Sequence, residues 1–356
     1  MLSFSFDVGN GFVKARNSER RIIAPSTIAK KDSIGTSSIT SMSNDYDVNA
    51  GYQTYVSNLD DSVEYIWGSG IKDAVDLDEL ISTYTHHNRY NQKRFKLLCS
   101  FILAELASDY NDHDLNDVVV VTGLPSQEVN TKEADDFKRF LQQKHLITRD
   151  GEQIVINVSD VRILEQPLGT LLDKFMNDAG KIHKKLMTSV ITVIDFGAGT
   201  TIIDTFKNLK RLDDKSDTFW EGANDIHKRI AKAIEREYGV KGVDMHHVEA
   251  GFYDESMIAV VSERKKYPFK EIANKVISNF IEKRISDIDS TLTNRNGTDI
   301  FVGTGGGINI VGDTFEKEFN EESLVVVEDS QGANNDGFYK FSKAIALNKQ
   351  KLKKAQ

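Results

Sequence analysis

Two short stretches constrain this chain more than anything else in it: Asp7-Val8-Gly9-Asn10-Gly11 and Asp195-Phe196-Gly197-Ala198-Gly199. Each follows an apolar, strand-like run and leads into a second apolar or β-branched run, so both read as strand, tight turn and returning strand. Glycine has no Cβ, so its backbone N–H groups can approach an anion closely and can adopt positive φ. An Asp at the strand end repels phosphate unless a cation stands between them. Magnesium suits that place, because it keeps most of its waters and takes one or two carboxylates plus substrate phosphates. One Asp-x-Gly-x-Gly is as readily an ordinary hairpin turn. Two in phase, each behind a strand-like run, point to a magnesium–nucleotide site built from both.

With 356 residues the chain exceeds the usual single-domain length, and two lobes are expected. Hydrophobic content of 39% and only four prolines describe a globular protein rather than a disordered one. The 45 basic and 54 acidic residues give a net charge of −9, which argues against broad direct contact with nucleic acid and leaves any link to DNA to a partner. The single cysteine, Cys99, lies in an apolar run as a buried core residue, so no disulfide forms within the chain. No basic leader and no run of 18 apolar residues occurs, which predicts a cytoplasmic protein without a membrane span.

Further motifs follow in order. Lys14 sits on the returning strand seven residues after Asp7, where its ammonium either reaches a phosphate oxygen or is a solvated strand-edge charge. Residues 32–44 are rich in Ser and Thr, and residues 46–67 alternate as short strands, which together suggest a small inserted subdomain. Apolar spacing over residues 91–110 predicts an amphipathic helix on the first sheet. Val118-Val119-Val120-Val121 is a strand covered on both faces, ending at a Thr122-Gly123-Leu124-Pro125 turn. Ile163-Leu164-Glu165-Gln166-Pro167 ends a strand just before a helix over 168–179. Glu165 or Gln166 there orients or activates a water for attack on a γ-phosphate, or belongs to a helix-entry turn satisfied locally.

Beyond the second hairpin, helices are expected over 226–238, with Asn224 as N-cap, and over 269–288. A strand then runs into Gly303-Thr304-Gly305-Gly306-Gly307, room for a flat ring or a phosphate against bare backbone. Neither the P-loop nor the dinucleotide fingerprint is present. Residues 324–327 form one more buried strand and residues 329–337 a loop before a helix, whose tail over 340–354 holds six lysines and no acid, a solvated end. His86-His87 and His246-His247 lack the company a zinc site needs and read as surface pairs.

Asp7-x-Gly-x-Gly with Lys14, then Glu165-Gln166-Pro167, Asp195-x-Gly-x-Gly-Thr and the 303–307 cluster, all in this order, resemble the actin and sugar-kinase superfamily over nearly the whole chain. The chain length, the Val-Thr-Gly-Leu-Pro turn at 121–125 and Trp220-Glu221-Gly222-Ala223-Asn224-Asp225 look like ParM-type plasmid-segregation actins.

The resemblance implies an α/β actin-like fold, duplicated ribonuclease H-like βββαβα lobes around a nucleotide cleft. Lobe I would span 1–188 and 325–356, with an insertion at about 31–90. Lobe II would span 189–324, with an insertion at about 216–290. It also implies an ATPase that forms polar helical filaments and segregates plasmid DNA through a centromere-bound adaptor, touching the DNA only indirectly.

By the same resemblance, Asp7 and Asp195 hold Mg2+ through its waters, and Lys14 contacts phosphate. Gly9, Asn10 and Gly11, with Gly197, Gly199, Thr200 and Thr201, cradle the β and γ oxygens of ATP, or of GTP in its place. Gly303 belongs to the nucleotide site, and Gly305, Gly306 and Gly307 line the base. Glu165, Gln166 and Asp195 carry the chemistry. The register to Pro167 puts Gln166 where the family positions its attacking water, while Glu165 beside it is the stronger base. Two alternatives stand beside this one: a small-metabolite kinase of the same superfamily, for which no substrate-side carboxylate is evident, and a membrane-associated cell-shape or division actin, which the lysine tail supports weakly.

Overall fold

The computed structural model describes residues 1–34, 51–85, 88–319, 323–327, 329–330 and 332–355. Most of the Ser/Thr-rich stretch and the pair His86-His87 lie outside the described residues. The chain divides into two compact units, Met1–Lys181 with Asn334–Gln356, and Ile182–Ala333. The first unit therefore ends at 181 rather than 188 and resumes at 334 rather than 325.

In the first unit β1 (Leu2–Val8), β2 (Phe12–Arg16) and β3 (Arg21–Pro25) form an antiparallel meander. After β4 (Thr27–Lys30) come β5 (Gln53–Ser57), β6 (Asp60–Trp67), the single turn α1 (Ile71–Ala74) and β7 (Ile81–Ser82). Then follow α2 (Lys93–Ala107), β8 (Asp114–Leu124), α3 (Lys132–Leu141), β9 (Lys144–Arg149), β10 (Glu152–Glu165) and α4 (Gln166–Phe175). The described strands make one sheet ordered β3-β2-β1-β8-β10-β9-β5-β6-β4-β7, with β1, β8 and β10 parallel. Strands β5 and β6 thus continue the main sheet, because β5 pairs with β9.

The core of this unit shows why its elements form. Val118, Val119, Val120 and Val121 are all fully buried, as a β-branched run covered on both faces requires. Helix α2 departs from the amphipathic expectation, since every residue from Leu97 to Ala107 is buried, and a helix apolar nearly all round belongs inside. The charge this buries, Glu105, accepts from Arg20, Arg149 and Tyr55 at 2.7 Å each. Burial works to raise its pKa, and the hydrogen bonds of Arg149 and Tyr55 with the charges of Arg149 and Arg20 overcome that and lower it. Cys99 is fully buried, and burial pushes its thiol pKa up, away from reactivity.

Gly123 lies inside β8, paired with Leu164 of β10, rather than in a turn, and it is a glycine because a Cβ there would meet the Phe338 ring at 2.4 Å.

The second unit repeats the plan. After α5 (Lys184–Thr188), the strands β11 (Val190–Phe196), β12 (Thr201–Lys207) and β13 (Lys210–Arg211) form an antiparallel meander, with the short β14 (Asp217–Phe219) also on β12. Helices α6 (Ala223–Tyr238) and α7 (Met245–Tyr253), the ribbon β15 (Ile258–Ser262) and β16 (Lys265–Pro268), and α8 (Lys270–Leu292) precede β17 (Ile300–Thr304), α9 (Ile308–Lys317) and β18 (Leu324–Val326). The order β13-β12-β11-β17-β18, with β11, β17 and β18 parallel, matches β3-β2-β1-β8-β10 strand for strand. Its core joins Ile194, Phe196 and Ile203 of the sheet to Ile226, Ile230 and Ile234 of α6 and Ile277, Phe280 and Ile281 of α8. Each such side chain contributes about 1.5–3 kcal/mol, so both hairpins stand on rigid supports. β18 is half-buried at a sheet edge, less covered than its apolar sequence implied.

The final helix, α10 (Ala333–Ala355), begins inside the residues expected as a loop and packs in the first unit. Its start is set by contact with α4, since Asn334 Oδ1 accepts from both Thr170 Oγ1 (2.7 Å) and Thr170 N (3.2 Å). Gly169 and Gly337 let the two backbones touch, and a Cβ on Gly337 would lie 1.8 Å from the Gly169 carbonyl oxygen. The lysine tail is partly paired, Lys349 with Asp160 and Lys353 with Asp117, while Leu352 is 67% exposed. Among the described residues no helix is long and apolar enough to cross a membrane.

Candidate functional site

The two hairpins have one register. Asp7 pairs with Lys14 and Val8 with Val13 in the first; Asp195 pairs with Ile202 and Phe196 with Thr201 in the second. Both are closed by the same bond, Gly9 N to Phe12 O at 3.0 Å and Gly197 N to Thr200 O at 2.8 Å. Asp7 is buried and Asp195 half-buried, each two residues before its turn. The lysine is peculiar to the first hairpin: a Cβ on Gly9 would stand 3.5 Å from Lys14 Nζ, so the ammonium lies over the bare glycine backbone.

What aims the turn amides is hidden from the motif itself. A trans peptide is planar, with its C=O and N–H pointing oppositely, so a carbonyl tied down on one side turns the next N–H to the other. In the first hairpin Gly9 O accepts from Ser26 Oγ (2.7 Å) and Arg89 Nη2 (2.9 Å), and Gly11 O accepts from Ser26 N (2.9 Å). The Asn10 amide therefore faces away from Ser26 and Arg89. In the second, Gly197 O accepts from Ala223 N (3.0 Å) and Ala198 O from Asn224 N (2.8 Å), which turns the amides of Ala198 and Gly199 outward. These outward amides make no hydrogen bond among the described residues, as an anion cradle requires.

Helix α6 begins earlier than the sequence pattern indicated. Gly222, not Asn224, is its N-cap, with Asp225 Oδ2 accepting from Gly222 N at 3.0 Å. A Cβ on Gly222 would lie 2.4 Å from Gly197 O, so the hairpin occupies the place a capping side chain would need. Its carbonyls accept from the orphan N–H groups instead.

Strand β10 ends at Glu165, and Gln166 opens α4 with Pro167 in the first turn, where a missing N–H costs nothing. Gln166 Nε2 donates to Asp7 Oδ1 at 2.7 Å. A carboxylate accepts only from the nitrogen of the amide, which fixes the amide's orientation and leaves Oε1 as a free acceptor. The Glu165 carboxylate makes no hydrogen bond among the described residues.

In the second unit the glycine cluster closes on Asp195. Gly305 has φ +88°, and a Cβ there would sit 2.0 Å from Asp195 Oδ1; Gly307 N donates to Phe196 O at 2.7 Å. Gly306 is open, with nothing within 4 Å of a Cβ. Gly303 and Thr201 stand behind the site rather than in it. Gly303 lies in β17 against Ile308 and Phe315, and the fully buried Thr201 donates its hydroxyl to Glu221 O at 2.8 Å. The structure thus gathers Asp7, Gly9, Asn10, Gly11, Lys14 and Gln166 in one unit and Asp195, Gly197, Gly199, Thr200 and the 305–307 turn in the other.

Sequence reasoning missed Ser26, Arg89 and the anchor of the 220–222 loop. Glu221 accepts from Lys283 Nζ at 2.9 Å, Arg229 at 3.1 Å and Arg284 at 3.2 Å, and these partners, the Lys283 hydrogen bond foremost, lower its pKa. Arg284 is 2% exposed and stacks over Phe219 and Phe280. The histidine pair at 246–247 is a helix start: Asp244 Oδ1 accepts from both backbone N–H groups. Among the described residues no group of three or more His, Cys, Asp or Glu is placed to hold a metal.

Residues 5–169 match the family described as actin like proteins N terminal domain. No curated protein sequence matches the chain. Among solved structures, the apo psk41 ParM protein is similar at 28% identity and TM-score 0.79, over 99% of this chain and 99% of that one. The archaeal actin homolog Ta0583 in complex with ADP shares the fold at 20% identity and TM-score 0.70, over 96% and 99%. So does the Alp12 filament structure, at 16% identity and TM-score 0.68, over 98% and 99%.

Proposed function

Because the chain belongs to the actin-like superfamily and is of ParM type, we propose that it is a nucleotide-dependent filament protein that segregates plasmid DNA in the cytoplasm through a centromere-bound adaptor. The observation that carries this reading is the pair of hairpins in one register, each with a strand-end Asp and outward amides. A bound ATP with Mg2+ would supply the scissile γ-phosphate and the cation that lets two carboxylates approach it.

The chain's residues divide the work. Asp7 and Asp195, each at the end of its strand, would hold the ion through its waters. Lys14 adds a point charge. The amides of Asn10, Ala198 and Gly199 receive phosphate oxygens, and the 305–307 turn leaves bare backbone for the base. Gln166, its amide nitrogen committed to Asp7, offers Oε1 to orient the attacking water. The Alp12 filament and the ADP complex of Ta0583 are consistent with assembly and nucleotide binding in proteins of this fold. An acidic chain, at −9, suits a filament that leaves the DNA contact to an adaptor.

The test is sedimentation and electron microscopy with ATP and magnesium. Filaments that form with ATP or a slowly hydrolysed analogue and disassemble after hydrolysis are expected; a soluble monomer at saturating nucleotide refutes the reading.

A further inference from the structure

We propose that Arg89 is a positioning residue for nucleotide phosphates: it fixes the first hairpin so that its amides face the phosphates, and it sets a full positive charge behind them. The proposal rests on the nucleotide reading above.

Arg89 binds the hairpin with both arms of its fork, Nη2 to Gly9 O at 2.9 Å and Nη1 to Asn10 Oδ1 at 3.2 Å. The first bond turns the Asn10 amide outward; the second holds the side chain at the tip of the turn. The Phe95 ring, 4.9 Å from the guanidinium carbon, fixes the plane of the fork. This arrangement has a cost, since Arg89 Nε is buried without a partner among the described residues. A chain needing only a hydrogen-bond donor has cheaper ones, as the second hairpin shows. There Gly197 O, the counterpart of Gly9 O, is held by the neutral backbone amide of Ala223. Ser26 already ties Gly9 O in the first hairpin, so what Arg89 adds is charge and the grip on Asn10.

The experiment is calorimetric titration of the full chain with adenosine, ADP and ATP, comparing wild type with Arg89→Gln, Arg89→Lys and Ser26→Ala, each checked for folding by its melting curve. Removing a charged hydrogen bond predicts about tenfold to a hundredfold weaker ADP and ATP binding in Arg89→Gln, with adenosine unchanged. Arg89→Lys, which keeps the charge and loses one arm, should recover part of that loss, and Ser26→Ala should lose less than about tenfold. If Arg89→Gln does not fold, Arg89→Lys decides, since a loss confined to the phosphorylated ligands is still required. Wild-type ADP affinity in the folded variants overturns the proposal, and so does an equal loss for adenosine and ADP, which marks a structural role. A wild type that binds no nucleotide overturns the nucleotide reading itself and the proposal with it.

Discussion

Replacing Gly337 by Ala sets two rules against each other and so has an informative sign. Gly337 lies inside α10, and an exposed helix-interior Gly→Ala change ordinarily stabilises by about 1 kcal/mol. Here the new methyl would stand 1.8 Å from the Gly169 carbonyl oxygen, 2.7 Å from its carbon and 2.8 Å from Asp173 N, where real Cβ atoms essentially never come within 3.0 Å. All three neighbours are backbone of α4, so none can rotate aside. The helices must separate by roughly 1 Å or more, at the upper end of the 1–3 kcal/mol that overpacking costs, about 3 kcal/mol. That separation also strains the Thr170–Asn334 bonds and the Lys340–Asp173 pair at 2.9 Å. The net loss is about 2 kcal/mol, or a melting point lower by about 4–8 °C. Gly312 in α9 is the control, because a Cβ there meets nothing within 4 Å, and Gly312→Ala should raise the melting point by about 2–4 °C. Thermal unfolding by circular dichroism reads both. Should Gly337→Ala melt at or above wild type, the α4–α10 contact is not as close as described, and the reasoning from it fails.

Two further outcomes are expected. Gln166→Ala and Asp195→Ala should each slow phosphate release about a hundredfold, while Glu165→Gln stays within about threefold of wild type; the reverse ranking would transfer the water-orienting role to Glu165. His227, buried with neither ring nitrogen partnered among the described residues, has its pKa lowered by burial, against the raising influence of Glu249 and with that of His246. The unfolded chain then binds the proton first, so this stability is fully present above the unfolded pKa of about 6.5 and is lost as pH falls from there through the lower folded-state pKa. The buried His145, also lowered by burial, acts in the same direction. In His227→Phe the drop in melting point between pH 7 and 5.5 should shrink, and an unchanged drop would count against it.

What was legible in the sequence was local and periodic. The strand ends, the Asp-x-Gly-x-Gly turns, the valine run of β8 and the apolar face of α8 come from nearest neighbours along the chain, where backbone propensity and burial agree. Boundaries that failed were set by contacts distant in sequence. Gly123 reads as a turn residue until the Phe338 ring, more than two hundred positions away, explains why β8 needs a glycine just before its last residue. Asn224 reads as an N-cap until the hairpin carbonyls of Gly197 and Ala198 are seen accepting from the helix's first amides. Apolar spacing alone makes α2 amphipathic; its one buried carboxylate, Glu105, is accommodated because Arg20, Arg149 and Tyr55 converge on it inside the unit, contacts distant in sequence that no local pattern shows.

The same distinction explains why the Asp-x-Gly-x-Gly motif identifies a tight hairpin and does not by itself aim its amides. Glycines permit close approach, but they do not decide which way a peptide faces; a neighbour must hold the carbonyl. The two units satisfy this in different currencies, Ser26 with a buried-side arginine in one, the N-terminus of α6 in the other. Only the second is contiguous enough to leave a trace in sequence, as Gly222-Ala223-Asn224. The duplicated turns therefore have unequal electrostatics despite equal registers: the first carries Lys14 and Arg89, the second neither, with Ile202 where Lys14 would be. On the nucleotide reading, neutralising Lys14 should weaken ADP binding, measured by calorimetric titration, more than any single substitution in the second hairpin that keeps its backbone.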